Sequence, residues 1–457
     1  MKSAAKAWAR EEFGQAELGH GRRVDRLINM AAGVAMKPAG TVTGVFTSSA
    51  DREGAFRFLQ NPDVPSEAVA RASFEATARR CHGYPWVYVP VDGSSLSFSD
   101  RRRCRDIGHV GSLNKGGRGL IVTNALAVSP DGSPIGLCGQ RFWARKGRAV
   151  QLKRRWRATD TEIARTVPLL EQVRDRLAAL PSPIQPWFQM DRAYDAWTIW
   201  KFVDDEDLRV TIRASQDRVV RETGRDKKNY LFKLARRAQV LGSYNMHVSE
   251  RAGRPARIAT MQVRARAVTI ELKVSKKKRE YVRLNVVVAK EMRRYKPLHW
   301  VLLTTEPVDS FEAAHAVVEG YAARWRVEEF HRAWKRGVCN VEDTQLRSRE
   351  GLLKWATILA AVAARASRLT YLAREKPDSP AIEELSREEI DATIALRRPK
   401  GIKLGAKPTL WQVLLWIAEL GGYTGKSSGG PPGPTVVARG LQMVELLARG
   451  IRNLKEM

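Results

Sequence analysis

Two short apolar runs, each ending in an aspartate, constrain this chain more than any other feature. Trp86-Val-Tyr-Val-Pro-Val leads to Asp92, and Pro186-Trp-Phe-Gln-Met leads to Asp191. A strand that is apolar at nearly every position is covered on both faces, as in the middle of an α/β sheet. Further strands are expected at 120–128 and 135–142, joined into a hairpin by the turn Ser129-Pro-Asp-Gly-Ser133, and at 208–213. A helix from about 159 to 180, stopped by Pro181 and Pro183, separates the hairpin from the second aspartate run.

Residues 215–299 break this alternation. Val268, Ile270, Leu272 and Val274 alternate with polar residues, and Val282, Leu284, Val286 and Val288 do so in part, which predicts antiparallel strands with one wet face. The segment holds 23 Lys or Arg against 7 Asp or Glu, a net of +16 within a chain total of +30. Disordered basic tails do not alternate in this way. An inserted β subdomain with a phosphate-binding face is expected.

Residues 321–335, Tyr-Ala-Ala-Arg-Trp-Arg-Val-Glu-Glu-Phe-His-Arg-Ala-Trp-Lys, predict one helix, free of Gly and Pro. At roughly 100° per residue, Tyr321, Arg324, Glu328 and Lys335 fall on one face, while Val327, Phe330 and Trp334 face a core. Glu329 points about 100° away from Glu328 and is expected in a surface salt bridge.

The rest of the chain predicts helices. Residues 4–75 carry helical periodicity and the cluster Arg22, Arg23 and Arg26, which fits a small DNA-binding domain or a solvated charged face. Helices are also expected at 351–374, 410–420 and 435–451, with a flexible Gly- and Pro-rich connection at 425–434. Leu441, Val444, Leu447 and Ile451 form an apolar stripe that suits either a dimer contact or an internal core.

Composition narrows the partners. With 79 Lys or Arg against 49 Asp or Glu, the chain is suited to a polyanion, nucleic acid ahead of an anionic membrane surface. The four cysteines form no C-x-x-C pair and the seven histidines no cluster near them, so neither a disulfide framework nor a zinc site is expected. No apolar run of membrane-spanning length or signal-peptide pattern occurs, which predicts a cytoplasmic protein.

Asp92, Asp191 and Glu328 are the candidate catalytic and metal-ligating residues. Ligands of open α/β sheets bind beyond the carboxyl ends of strands, and Glu328 projects from the adjacent basic helix face. Three clustered carboxylates call for hard divalent cations, and two such ions support in-line phosphoryl transfer. No G-x-x-x-x-G-K-[ST] loop occurs, which counts against an ATP-driven mechanism.

Here a resemblance becomes specific. Tyr321, Arg324, Glu328 and Lys335 match the Y-R-E-K signature of bacterial cut-and-paste DDE transposases similar to the Tn-five transposase. Val-Asp92-Gly-Ser-Ser-Leu-Ser-Phe resembles that family's first-aspartate motif and Met-Asp191-Arg-Ala-Tyr-Asp195 its second, and similarity extends over about residues 8–336. Three departures stand out: Ala193-Tyr194 where the family often has Glu-Ala, Val91 in place of an acid, and Ser215 in place of a basic residue.

The resemblance implies a ribonuclease-H-like catalytic core with an inserted antiparallel β subdomain, flanked by helical N- and C-terminal domains. The expected domains are 1–75 for DNA binding, 76–372 for catalysis with the insertion at 215–299, and 373–457 for dimerisation. It implies nicking at transposon ends, hairpin formation and opening, and joining to target DNA, with two Mg²⁺ ions per site for which Mn²⁺ substitutes. Double-stranded DNA, both the terminal inverted repeats and the target, is the expected partner. A homodimer in a synaptic complex is implied, in a bacterial, nucleoid-associated protein.

By residue match, Tyr321, Arg324 and Lys335 hold backbone phosphates, Arg213 is a further phosphate contact, and Trp300 stacks on a flipped base. Taken alone, Trp300 reads as a core residue of an apolar strand. His331 is expected to contact DNA or to pack, since Mg²⁺ prefers oxygen ligands. Asp195 is expected to cap or orient the helix after Asp191, and Arg101-Arg-Arg103 to touch DNA or lie in a solvated loop. The alternative function is a catalytically inactive, transposase-derived DNA-binding or regulatory protein.

Overall fold

The computed structural model describes residues 4–99, 106–111, 117–145, 163–221, 229–248, 257–275, 278–292, 297–425 and 431–456. Arg101-Arg-Arg103, the start of the helix expected from 159, and residues 426–430 of the Gly- and Pro-rich connection lie outside them.

The chain opens with helices α1 (Ala4–Phe13), α2 (Gly21–Met36), α3 (Val42–Val45), α4 (Ser49–Gln60) and α5 (Ser66–Arg80). Side-chain caps set three of the starts: His20, Thr41 and Ser48 accept from the first-turn amides of α2, α3 and α4.

Strands β1 (Trp86–Phe98), β2 (Gly108–His109), β3 (Arg118–Val128) and β4 (Pro134–Trp143) follow, then helix α6 (Val167–Ala178). Next come β5 (Gln185–Met190), helix α7 (Trp197–Asp205) and β6 (Arg209–Arg213). β1 pairs antiparallel with β3 on one side and parallel with β5 on the other, and β5 pairs parallel with β6. This mixed sheet, β4-β3-β1-β5-β6 with helices on both faces, is consistent with a ribonuclease-H-like core.

The basic segment extends this sheet. It contributes β7 (Val219–Arg221), β8 (Asn229–Tyr230), helix α8 (Leu231–Arg236), β9 (Gln239–Val248), β10 (Arg257–Lys273) and β11 (Arg279–Glu291), and β12 (His299–Thr304) begins at its last residue. Leu302 of β12 pairs with Arg213 of β6, so these strands are continuous with the core sheet.

The alternation holds where it is expected, with Val268, Ile270, Leu272, Val282, Leu284, Val286 and Val288 all buried, but one wet face does not extend along the whole of β10. In the first half of β10 the odd-numbered Ala259, Met261, Val263 and Ala265 are buried; in the second half the even-numbered Val268, Ile270 and Leu272 are. At about 3.3 Å per residue this strand outruns any one covering layer, so its two halves bury opposite faces.

Period-two alternation divides the centre of the sheet between two cores. Val87, Val89 and Val91 of β1 pack with Leu169, Leu170, Ile199 and Trp200 of α6 and α7. Tyr88, Leu96 and Trp187 face the other way, into a core shared with the N-terminal helices. That second layer holds helices α9 (Phe311–Ala323), α10 (Trp325–Arg332) and α11 (Arg349–Glu375).

Residues 321–335 are therefore not one helix. Arg324 sits in a tight turn made by i→i+3 bonds, Arg324 N donating to Tyr321 O (3.2 Å) and Val327 N to Arg324 O (3.2 Å). After α10 the chain widens into a π-helical turn, Ala333–Gly337, in which Val338 N donates to Ala333 O (2.8 Å). The fully buried Trp334 fixes that turn, its indole N–H donating to Ala356 O of α11 (3.1 Å).

Helices α12 (Arg387–Arg397), α13 (Leu410–Leu420) and α14 (Pro434–Glu456) close the chain, the first two opened by the capping boxes Ser386/Glu389 and Thr409/Gln412. They pack on the C-terminal part of α11. The apolar stripe of α14 serves this internal core: Val444 is fully buried, with Leu441 and Leu447 against the same cluster. Among the described residues Met443 and Leu446 are its exposed large apolar side chains, and that of Ile451 lies outside them. Among the described residues no helix is long and apolar enough to cross a membrane.

Candidate active site

Strand register builds the floor of the site. Asn124 lies directly across from Asp92, Val91 is in register with Met190, and Met190 with Ile212. One further residue along each parallel strand brings Asp191 beside Asp92 and Arg213 beside Asp191. Continued by one residue, this backbone register runs Asn124, Asp92, Asp191, Arg213 along one face, although Asp191 is not in the group of acidic and histidine ligand atoms that lie within 4.8 Å of one another. Asp191 directly follows β5, where its Oδ1 accepts from Ala193 N (2.7 Å). Asp92 does not end its strand: β1 continues to Phe98, and on the face of Asp92, Asp92 and Ser94 are half-buried before Leu96 and Phe98 are buried again.

Helices α9 and α10 form the roof. α9 comes close because Gly320 has no side chain: a Cβ there would stand 2.4 Å from Tyr88 Cε1 and 2.9 Å from Gln189 Nε2. Tyr88 secures the contact from below, its hydroxyl donating to Ala316 O (3.0 Å). Beyond this seat, the turn at Arg324 aims α10 across β1 and β3.

Tyr321, Arg324, Glu328 and Lys335 follow one another along this roof. Trp300 of β12 meets Tyr321 edge to face, with ring centroids 5.4 Å apart, and the Arg324 guanidinium lies 6.0 Å from the Tyr321 ring. Arg324 Nη1 is 3.5 Å from Glu328 Oε1 and 3.8 Å from Asp92 Oδ2. Lys335 Nζ donates to Ser95 O (2.6 Å) and Ser94 Oγ (3.3 Å), just past Asp92, and stands 3.7 Å from Glu342. Glu329 turns away to Arg326 (3.0 Å) and Arg374 (3.9 Å).

Electrostatics match a cation site. Burial, then the Glu328 charge with Asp191 adding to it, pushes the Asp92 carboxyl up to about 7, against the opposing pull of Arg324. Asp92, Glu328 and His331 offer ligand atoms that all lie within 4.8 Å of one another, a spacing one divalent ion can span. Burial holds His331 neutral, down to about 3, with Lys335 and Arg324 acting in the same direction.

Two further networks had no local signal in the sequence. His331 Nε2 lies 2.8 Å from Asn124 Nδ2, and Asn124 Oδ1 accepts from Gln140 Nε2 (2.7 Å). Asp195 is fully buried and paired with Arg218 (2.7 Å); it also accepts from Trp200 Nε1 (2.9 Å) and Ser215 N (2.8 Å). This clamp ties the loop after Asp191 to the segment after β6.

The remaining candidates lie elsewhere or at the margin. Arg213 donates to His299 O (3.3 Å) at the end of the acidic row. Arg22 is exposed, Arg23 is bound to Asp63 (2.6 Å) and Leu18 O (3.0 Å), and the Arg26 guanidinium rests over Gly54.

Comparison with known families agrees at both ends. Residues 5–64, which include all three N-terminal arginines, match the transposase DNA-binding family. Residues 149–364 match the transposase DDE domain; the match takes in Asp191 and Glu328 and begins after Asp92. DNA is accordingly its partner, and the chain belongs to the DDE-type transposases, enzymes that act on DNA.

Proposed function

We propose that this transposase performs cut-and-paste transposition by two-metal phosphoryl transfer, with Asp92, Asp191 and Glu328 as the metal ligands. The observation that carries the reading is the close grouping of the Asp92 and Glu328 ligand atoms, with the Asp191 charge adding to that of Glu328 on the Asp92 carboxyl. When bound, two Mg²⁺ ions, or Mn²⁺ in their place, activate a water or 3′-hydroxyl on one side of the phosphorus and stabilise the leaving oxygen on the other.

The protein groups take complementary roles. Arg324 and Lys335 flank the acids and grip the backbone phosphates of the transposon end, with the Tyr321 hydroxyl beside them. Trp300, half-buried against Tyr321, receives the base displaced when the end closes into a hairpin. Arg213 extends the cationic edge past Asp191, and Arg22, Arg23 and Arg26 serve the end-binding domain at 1–75. Residues 76–372 form the ribonuclease-H-like catalytic domain, with 215–299 as its basic β insertion, and 373–457 the C-terminal domain of a homodimer in the synaptic complex.

Incubation of the protein with DNA carrying its terminal inverted repeats and Mg²⁺ tests the reading. Nicks at the repeat ends followed by hairpins are expected. Tight binding without nicks refutes it.

A further inference from the structure

We propose that His331 is the positioning residue for Asp92. It is a neutral imidazole fixed as its Nδ1–H tautomer, which directs a donor at the carboxylate and does not itself ligate metal. This rests on the metal-site reading above and goes beyond it, because the cluster of Asp92, Glu328 and His331 looks at first like a mixed ligand set.

The tautomer follows from a relay built into strand register. Gln140 of β4 is paired with Asn124 of β3, and Asn124 with Asp92 of β1. Gln140 Nε2 donates to Asn124 Oδ1 (2.7 Å), so the other end of that amide, Nδ2, faces His331 Nε2 at 2.8 Å. An amide nitrogen only donates, which makes Nε2 the acceptor and leaves the imidazole proton on Nδ1. Nδ1 is the atom that faces Asp92 Oδ2, at 3.9 Å.

Reversing the relay is less favourable. As it stands, the buried atom without a partner is Gln140 Oε1. The reversed chain would leave an unpartnered buried N–H₂, the less tolerated orphan. At 3.9 Å the approach is longer than a hydrogen bond, as donor contacts in a site without substrate often are. A protonated Nδ1 has no lone pair to offer an ion. Its use is to fix the orientation of a ligating carboxylate, as outer partners of metal ligands do.

Two measurements on the full chain test this. In nitrogen-15 histidine spectra of the metal-free protein, the signal absent from His331→Asn is expected to be the neutral Nδ1–H tautomer. An Nε2–H tautomer overturns the inference. Mn²⁺ binding followed by electron paramagnetic resonance is expected to weaken by about 10- to 100-fold in His331→Ala. It should stay within about threefold of wild type in His331→Asn, whose side-chain amide keeps an N–H near the place of Nδ1–H.

No nitrogen hyperfine coupling to Mn²⁺ is expected in the wild type. Such a coupling, or equal loss in the Ala and Asn variants, overturns the inference and leaves the metal site standing. Mn²⁺ affinity unchanged by Asp92→Asn overturns both.

Discussion

The Arg324 guanidinium lies 3.8 Å from the Asp92 carboxylate, on the side that Glu328 also faces. In the metal-free protein this arginine is the nearest cation to a carboxylate that burial and two neighbouring acids make costly to ionise. The acids and the arginine thus form one electrostatic unit.

Removing any one acid should stop the chemistry and spare recognition. Asp92→Asn, Asp191→Asn and Glu328→Gln are each expected to lower strand cleavage by about a thousandfold or more, the several kcal/mol that metal stabilisation supplies. Band-shift measurements should show end binding within about threefold, because residues 5–64 carry the DNA-binding family match. Cleavage in Mg²⁺ that survives any of these changes would remove that residue from the triad.

The raised Asp92 carboxyl makes stability depend on pH in a predictable sense. Its folded-state value, about 7, lies above the ordinary value of 3.8, so the folded state holds the proton more tightly. The metal-free protein should therefore lose stability as pH rises between those values, with the full penalty present above about 7. Differential scanning calorimetry should show Asp92→Asn raising Tm by a few degrees at pH 8 and by much less at pH 5. Equal shifts at both pH values would locate the effect in packing.

Trp300→Ala separates two steps of the proposed reaction. First-strand nicking on end DNA should persist, while hairpin yield falls by about 10-fold, in keeping with the roughly 1–3 kcal/mol of one aromatic–base stack. The edge-to-face contact with Tyr321 makes a structural role testable in the same gel, since loss of both steps in parallel would assign Trp300 to packing alone.

Arg218→Leu tests the clamp beneath the second aspartate. Asp195 is fully buried, and losing its partner leaves an uncompensated charge, expected to cost about 3–5 kcal/mol in urea unfolding. The double change Asp195→Asn with Arg218→Leu should recover part of that loss. No recovery would indicate that Arg218 acts by filling space.

What the sequence discloses and what it hides divide along physical lines. The apolar runs that lead to Asp92 and Asp191 are legible because burial on both faces leaves them unbroken, and the hairpin because Ser129-Pro-Asp-Gly-Ser133 is a strong turn; that β1 runs on past Asp92 to Phe98 is not legible. The break at Arg324 is hidden, since Trp325–Arg332 and the residues before it are all acceptable in one helix; the seat at Gly320 and the anchor at Trp334 are tertiary facts. The face switch in β10 is hidden because Ala259 and Ala265 are small enough to read as neutral. Asp195 with Arg218, and His331 with Asn124 and Gln140, join residues far apart in the chain, and no local window contains both partners.

The π-helical turn at Ala333–Gly337 bears on what the spacing from Glu328 to Lys335 means in this chain. A wider turn consumes extra chain for the same sweep of angle, so Lys335 stops short of the direction that 3.6 residues per turn would assign it. It is that shortfall that accompanies its hold on Ser94 and Ser95. Counting residues from Glu328 to Lys335 therefore measures length along a non-uniform spiral. Deleting Ala333 or Trp334 would keep Tyr321, Arg324, Glu328 and Lys335 and yet rotate the lysine away from Ser94 and Ser95.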